Sequence, residues 1–201
     1  MKEKVIAALD VETEEQALSL TKKLKDYVGA FKVGLQLYNN VGPGIVKKIA
    51  DQGCKVFLDL KFHDIPNTVA GAAEAVVGLG AFMFNVHAAG GKKMMQEAVK
   101  AAQRKAAQLG IAKPLIIGVT VLTSMTEAEL QQEIGIQKTL PEQVAALALS
   151  AKEAGLDGVV ASAQEIPWIR EVCGTDFLIV TPGIRPTWAA SDDQARIVTA
   201  Q

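Results

Sequence analysis

The 201-residue chain lacks the features that would tie it to a membrane, a nucleic acid or an oxidising compartment. Its two cysteines, Cys54 and Cys173, are far apart and have no CxxC partner, which is typical of free thiols in a reducing compartment. Lys and Arg number 21 against 22 Asp and Glu, so no general charge excess favours a polyanion. The longest uncharged stretch, residues 75–91, is interrupted by glycines and Asn85, and it predicts a helix end and a strand rather than a membrane span.

Common nucleotide-binding loops and targeting segments are also missing. Neither a GxGxxG nor a Walker A motif occurs, which weakens a doubly wound nucleotide fold. The start, MKEKVIAALD, has only five apolar residues before Asp10, too few for a signal peptide. Because hydrophobic residues make up 49% and charged residues 21%, a packed core is expected. We therefore predict a soluble, cytoplasmic protein with one domain over residues 1–201.

Short apolar runs alternate with longer amphipathic stretches along the chain. The apolar runs are nearly continuous, as in strands that are buried on both faces, and the amphipathic stretches predict helices. The predicted strands are Val5–Val11, Phe31–Leu35, Val56–Lys61, Phe82–His87, Leu115–Leu122, Val159–Ala161 and Phe177–Thr181. The predicted helices are Glu14–Tyr27, Ile45–Gln52, Thr68–Leu79, Lys92–Leu109, Pro141–Ala154 and Ala163–Val172, with Gly29, Gly53, Gly110 and Gly155 just after four of them.

Strict alternation of strand and helix predicts parallel strands joined by right-handed crossovers. Seven strands at a spacing of about 25 to 30 residues favour an α/β fold of the TIM (β/α)₈ barrel type. An eighth strand and the C-terminal helix are not represented in this chain. We expect a further stretch of about 30 to 40 residues to complete the barrel in the natural protein.

Charged residues gather near the C-terminal ends of the first three strands, where barrel enzymes hold their active sites. Asp10 follows the apolar run VIAAL of the first strand, Lys32 lies in the second, Asp59 and Lys61 lie in the third, and Asp64 comes three residues later. Asp59 and Lys61 are two residues apart, so on an extended strand they share one face. A structural ring of ion pairs is the alternative interpretation. Function is favoured, because apolar residues would close a barrel end at lower cost.

Polar residues near the later strands are candidates for binding an anion or another ligand. Arg185 follows the seventh strand in TPGIRP, and a guanidinium binds phosphate through two hydrogen bonds. Gln194 could donate its amide to the same anion, although a helix-surface glutamine is commoner. Thr123, after the fifth strand, is placed to contact a ligand, or it caps a helix. His63 and His87 raise the possibility of a metal site, but the lysine cations of the second and third strands argue against one.

The segment DLKFHDIPNT, Asp59–Thr68, closely resembles the signature of the orotidine 5′-phosphate decarboxylase family. Asp10 after the first strand, Lys32 in FKVG, Thr123 in LTS, and TPGIRP with the downstream DQAR match that family in order and spacing. The resemblance covers the whole chain and is to the bacterial form. It implies decarboxylation of orotidine 5′-phosphate to UMP, the last step of de novo pyrimidine synthesis, with neither metal nor organic cofactor.

The resemblance also implies residue roles. Lys61 would give a proton to ring carbon C6, and Asp59 would lie against the leaving carboxylate. Asp64 and Thr68 would enter the neighbouring site of a homodimer. The implied catalytic residues are Lys61, Asp59, Asp64 and Lys32, and the implied substrate-binding residues are Asp10, Lys32, Asp59, Lys61, Asp64, Ile65, Thr68, Thr123, Arg185 and Gln194. A Gly-Arg pair after an eighth strand normally completes the phosphate site, and no such pair is present here. No nucleic acid or membrane partner is implied.

Two alternative functions stay open at this point. A metal-dependent sugar-phosphate lyase, such as a hexulose-phosphate synthase, shares the DxKxxD segment. Those enzymes use a carboxylate ligand on the second strand, and Lys32 lies in the corresponding region of this chain. A non-catalytic nucleotide-binding barrel is the other alternative, but binding alone does not need the proton donor Lys61 beside Asp59.

Overall fold

The computed structural model describes residues 2–184. Contacts group these residues into two units. The first unit comprises residues 2–86 and 97–116, and the second comprises 87–96 and 117–184. The single domain predicted from the sequence stays a prediction. Arg185 and Gln194 lie outside the described residues.

Seven strands alternate with helices in the described range. The strands are β1 (Ile6–Ala8), β2 (Ala30–Gly34), β3 (Val56–Phe62), β4 (Met83–His87), β5 (Leu115–Val119), β6 (Gly158–Val160) and β7 (Leu178–Val180). The helices are α1 (Glu14–Leu24), α2 (Leu35–Val41), α3 (Gly44–Ala50), α4 (Pro66–Gly78), α5 (Lys92–Leu109), α6 (Glu127–Gln132), α7 (Leu140–Glu153) and α8 (Ile166–Cys173). Short 3₁₀ turns cover Lys2–Lys4, Ala88–Gly90 and Ala163–Glu165. No helix of residues 2–184 combines the length and apolar character that crossing a bilayer requires.

The first unit is built on parallel strands in chain order. Ile6 of β1 lies opposite Ala30 of β2, and Phe31 of β2 lies opposite Val56 of β3. β4 pairs with β3 in the same direction. Most side chains of this unit's core are apolar, and several of them are fully covered, among them Phe31, Val33, Leu58 and Phe84. Such coverage on both faces agrees with the continuous apolar runs of the sequence.

The second unit repeats the parallel pattern with β6, β7 and the last three residues of β5, Ile117–Val119. Ile117 pairs with Gly158, and Gly158 pairs with Leu178. A side chain at position 158 would not fit, because a Cβ there would lie 2.2 Å from the Leu178 carbonyl oxygen. Beyond the end of β5, the Thr120 hydroxyl donates to the Val160 carbonyl oxygen at 2.8 Å. This unit therefore keeps a regular ladder with close strand contacts.

Helix ends follow local sequence signals. Thr13 caps α1 together with Gln16, and Pro66 stands in the first turn of α4, directly after the loop that leaves β3. Gly53, Gly110 and Gly155 have positive φ, which agrees with their prediction as residues after helix ends.

The same prediction is wrong for Gly29. Helix α1 ends at Leu24 with Lys25 as its C-cap, well before Gly29. A Cβ at position 29 would lie 2.5 Å from the Glu3 carbonyl oxygen, so a glycine there allows two backbone segments to approach closely.

Candidate active site

Four charged side chains of the first unit form a chain of alternating sign at the ends of β1, β2 and β3. Lys61 Nζ lies 2.8 Å from Asp59 Oδ1. Lys32 Nζ lies 3.6 Å from Asp59 Oδ2 and 3.1 Å from Asp10 Oδ1. The structure thus brings together the four residues that the sequence predicted at these strand ends.

The Asp59 carboxylate lies at the centre of this chain. Its side chain is 12% exposed, whereas the Asp10 side chain at the end of the chain is 70% exposed. A carboxylate buried to this degree is costly to keep charged unless cations and hydrogen-bond donors surround it. Lys61 approaches one oxygen of Asp59 and Lys32 lies near the other, so each oxygen has a cation beside it. Asp10 keeps an oxygen open to solvent and thus to a polar ligand.

Lys61 has an unusual backbone conformation. Its φ is +53°, the one positive value at a non-glycine residue among the described residues. This left-handed conformation costs about 1 to 2 kcal/mol for a residue with a Cβ, and it persists only where the surroundings enforce it. Strain of this kind concentrates at functional sites.

The pairing of β3 with β4 explains how that conformation arises. Leu58 lies opposite Phe84 and Phe62 lies opposite Val86, so four steps along β3 match two along β4. β3 therefore carries a bulge over Asp59–Lys61. The sequence predicted that Asp59 and Lys61 meet because they share a face of a regular strand. They do meet, but Lys61 is not extended, and the bulge directs its amine toward Asp59.

Asn85 of β4 is a site residue that the sequence reasoning missed. Its side chain is buried, donates from Nδ2 to Asp59 Oδ1 at 2.7 Å, and accepts from the Lys61 backbone N–H at Oδ1 at 2.8 Å. The available signal was a single amide inside the otherwise apolar run FMFNV. A polar residue in a strand buried on both faces needs partners, and here both partners belong to the site.

The segment after β3 is exposed and stands apart from the ion pairs. Asp64 Oδ1 accepts from the Ile65 backbone N–H at 2.6 Å, and Asp64 forms no ion pair within residues 2–184. Ile65 is 67% exposed, and Thr68 in the first turns of α4 is also exposed. A cavity of about 320 Å³ opens here, lined by Leu60–Asp64, Thr68, Val69 and Ala72. Its volume lies in the range of small-molecule sites, and Lys61 takes part in both the cavity and the ion pairs.

The remaining candidates are Thr123 and the possible metal site. Thr123 belongs to the second unit, where it is buried shortly after β5. Within residues 2–184, no three or more His, Cys, Asp and Glu side chains are grouped so that they could hold a metal ion. Both oxygens of Asp59 instead face ammonium groups.

Parallel strands with acidic and basic side chains at their C-terminal ends define an enzyme of the α/β-barrel class. Residues 3–201 match the model of the Orotidine 5′-phosphate decarboxylase / HUMPS family, and the chain belongs to this family. An orotidine 5′-phosphate decarboxylase from Syntrophomonas wolfei is 54% identical over 198 residues, which cover 98% of this chain and 83% of the relative. The enzyme of the same name from Legionella pneumophila is 51% identical over 201 residues, covering 100% of this chain and 86% of the relative.

Solved structures agree with the sequence comparisons. The crystal structure of orotidine 5′-phosphate decarboxylase from Lactobacillus acidophilus has a TM-score of 0.84 at 43% identity, and the match covers 90% of this chain and 81% of that one. An uncharacterized conserved protein from Geobacillus kaustophilus has a TM-score of 0.81 at 44% identity, covering 88% of this chain and 82% of that one. These likenesses confirm the predicted α/β-barrel class. The described residues contain seven of its strands and no eighth.

Proposed function

We propose that this chain decarboxylates orotidine 5′-phosphate to UMP, the last step of de novo pyrimidine synthesis, without metal or organic cofactor. The observation that carries the proposal is the Lys61 ammonium 2.8 Å from the Asp59 carboxylate, at the strand ends of a chain that belongs to this family. The relatives named above share about half of its residues and carry the name of this enzyme.

The chemistry needs a cation at a fixed position. When the bond between C6 and the carboxylate breaks, its electron pair stays on C6 and CO₂ leaves. This pair lies in the ring plane, where the π-system cannot delocalise it. The Lys61 ammonium stabilises the developing negative charge and then transfers a proton to C6, which yields UMP and a neutral amine that water reprotonates.

Asp59 and Lys32 complete the electrostatics of this proposal. Asp59 lies against the substrate carboxylate, which raises the ground state relative to the transition state. Asp59 also fixes Lys61, because its Oδ1 is 2.8 Å from Nζ. Lys32 bridges Asp10 and Asp59, and together with the exposed carboxylate of Asp10 it offers polar groups to the ribose hydroxyls.

The proposal includes a homodimer in which Asp64 and Thr68 enter the partner's site, with the substrate-binding residue Ile65 between them in the chain. Two features support it: Ile65 is a large apolar side chain left 67% exposed, and the neighbouring Asp64 carboxylate has no cation beside it in the described residues. Asp64 would then become the second acid beside Lys61. Mixing Asp64→Asn subunits with Lys61→Ala subunits tests this, because hybrid dimers hold one intact site. Full absence of recovered activity would refute the shared site.

The phosphate and base contacts are assigned by residue type. Arg185 and Gln194 hold the phosphate through guanidinium and amide donors, and Thr123 contacts the pyrimidine. A grip on the phosphate, remote from the breaking bond, can be used to favour the transition state. We place the reaction in the cytoplasm, in agreement with the free thiols Cys54 and Cys173.

The decisive experiment follows loss of the orotate chromophore, with and without a chelator. Lys61→Ala should lower kcat by about 10⁴-fold or more while UMP still binds. The matched control is Lys47→Ala, which removes an exposed lysine whose ion pair with Asp51 is local to α3. Near-normal kcat in Lys61→Ala would refute the assigned proton donor. Activity that disappears with the chelator would favour a metal-dependent lyase, and UMP binding without any turnover would favour a binding protein.

A further inference from the structure

Asn85 is the one buried polar side chain in the middle of β4. Its neighbours in the strand, Phe84 and Val86, are fully buried apolar residues, and Asn85 itself is 1% exposed. A buried amide without partners is destabilising, so this position is tolerated only because its hydrogen bonds are made. Both of its hydrogen-bond partners, Asp59 and Lys61, are residues of the candidate active site.

The two hydrogen bonds fix the orientation of the amide. The Lys61 backbone N–H can only donate, so it requires the amide oxygen, and the Asp59 carboxylate can only accept, so it requires the amide nitrogen. The reversed orientation would face donor to donor and acceptor to acceptor. Asn85 is therefore matched to one donor and one acceptor at the same time, which neither a hydrocarbon nor a carboxylate side chain can reproduce.

The position of Asn85 opposite the bulge explains what it does. A bulge leaves backbone groups of the longer strand without ladder partners. Across from Asn85, β3 runs from Asp59 to Lys61 between the paired residues Leu58 and Phe62. The Asn85 side chain supplies the acceptor that the ladder does not give to the Lys61 N–H, and so stabilises the residue with φ of +53°.

One oxygen of Asp59 connects this support to the catalytic amine. Asp59 Oδ1 accepts from Asn85 Nδ2 at 2.7 Å and from Lys61 Nζ at 2.8 Å. Asn85 thus contacts the backbone of Lys61 at one end and the partner of its ammonium at the other. The position of Nζ depends on both contacts.

We propose that Asn85 is a positioning residue of this active site. Its carboxamide holds the bulge in β3 and the direction of the Asp59 carboxylate, and through them it aims the Lys61 ammonium at the reacting carbon. This inference rests on the proposed function. It assigns Asn85 no contact with substrate, so its loss should affect the chemical step and leave binding of the ribose and phosphate unchanged.

Two substitutions separate the two hydrogen bonds. Asn85→Leu has the same branched shape, with two methyl groups in place of the amide oxygen and nitrogen, and removes both bonds. Asn85→Asp keeps an acceptor for the Lys61 N–H but places a second carboxylate against Asp59. Val86→Ala is the matched control, because it changes a buried apolar neighbour on the same strand that lies opposite Phe62 and not opposite Asp59 or Lys61. If Asn85→Leu does not fold, Asn85→Ser, which is smaller and replaces the carboxamide with a hydroxyl, takes its place.

The readouts are kcat, the dissociation constant of UMP and the crystal structure of each folded variant. We expect kcat to fall by about 10- to 100-fold in both Asn85 variants, as for a displacement of about 1 Å in a reacting group. The UMP dissociation constant should stay within about twofold of wild type, and Val86→Ala should keep kcat. In the crystal structure of Asn85→Leu, Lys61 should leave the left-handed region or its Nζ should move away from Asp59.

The outcomes separate this inference from the proposed function. A wild-type protein without turnover refutes the function, and the crystal structures then decide the role of Asn85 alone. An active wild type with unchanged kcat in Asn85→Leu overturns the inference and leaves the function intact. Equal losses of kcat and UMP affinity would show a general structural role and would also overturn it, as would a variant structure with Lys61 unmoved.

Discussion

Strands β3 and β5 begin alike and end differently. In the first unit, β3 starts with three buried apolar residues and finishes with a bulge, a buried carboxylate and a lysine in left-handed conformation. By contrast, β5 stays apolar, and its three residues in the second unit, Ile117–Val119, pair in register with β6. The hydroxyl beyond its end, on Thr120, simply donates to the neighbouring backbone.

This difference shows that the regular hydrogen-bond ladder is interrupted in β3 and maintained in β5. Charges gather at the end of β3, where the backbone departs from the ladder, whereas β5 keeps the pattern that packing alone favours. Residues that depart from the regular strand pattern, in a fold that otherwise follows it, often lie at functional sites. If this contrast is correct, substitutions at the end of β3 should mainly lower activity, and substitutions in the β5–β7 ladder should mainly lower stability.

Among the tests of this comparison, the largest effect is expected for Asp59→Asn. This change keeps the shape of the side chain but leaves the Lys32 and Lys61 ammonium groups with no charge between them. We expect kcat to fall by about 10³-fold, because the charge array around the reacting carbon is lost. Val119→Ala, in β5, should lose stability and keep kcat. A normal kcat in Asp59→Asn would contradict the assignment of β3 to chemistry.

The ladder of the second unit should break on Gly158→Ala. The added Cβ would meet the Leu178 carbonyl oxygen at 2.2 Å, so β6 and β7 must separate. We expect a loss of about 1 to 3 kcal/mol in the free energy of unfolding, measured by urea denaturation. Gly44→Ala, where an added Cβ meets nothing within 4 Å, is the control and should change stability by less than about 0.5 kcal/mol. An unaffected Gly158→Ala would contradict the close approach of the strands.

Alanine and glycine substitutions, compared at one position in β3 and one in β5, distinguish the backbone conformations of these two strands. At position 61 both substitutions remove the ammonium, but glycine accepts the left-handed φ without strain, so Lys61→Gly should be more stable than Lys61→Ala by about 1 kcal/mol. At Ile117 in the regular β5, the order should reverse, with glycine less stable by about 0.5 to 1 kcal/mol. Chemical denaturation of the four variants measures both differences. The same sign at both positions would argue against strain at residue 61.

The smallest expected effect is a change in stability at low pH. Hydrogen bonds from the backbone and then the side chain of Thr126 lower the pKa of Glu129 below the ordinary 4.5, and those from Thr139 do the same for Glu142. Because the folded pKa is lowered, each carboxylate contributes stability above pH 4.5 and loses it as the pH falls through the folded value.

Unfolding at pH 7 and below pH 4.5 tests this in the double variant Glu129→Gln, Glu142→Gln. The stability difference from wild type should shrink as the pH falls. Glu133→Gln, which changes the exposed C-cap of α6, serves as the control. A difference that stays constant with pH would show that these caps do not depend on the carboxylates.

Much of the fold could be predicted, because continuous apolar runs are typical of strands that are buried on both faces. All seven strands overlap the ranges that the sequence predicts. β1 is shorter than predicted, Ile6–Ala8 rather than Val5–Val11, and β5 ends at Val119 rather than Leu122. Helix α2, Leu35–Val41, was missed. It follows β2 without a side-chain cap, and its residues LQLYNNV were not included in any predicted helix.

The charged residues of the candidate site could be predicted from the sequence, but the residue and the backbone irregularity that hold them in place could not. Asp10, Lys32, Asp59 and Lys61 were recognisable because charged residues are rare at the ends of buried strands. Asn85 was not, since one amide in an apolar strand does not reveal its partners. The bulge was also hidden, because the spacing of Asp59 and Lys61 fits a regular strand equally well.

The bulge in β3 has a practical consequence for anyone who wishes to transplant this chemistry. Copying an Asp-x-Lys pair onto an ordinary strand of another scaffold would place both side chains on one side, yet the amine would leave from an extended backbone and point elsewhere. A successful graft would have to carry three pieces together: the two surplus residues, the left-handed lysine, and an asparagine on the adjoining strand.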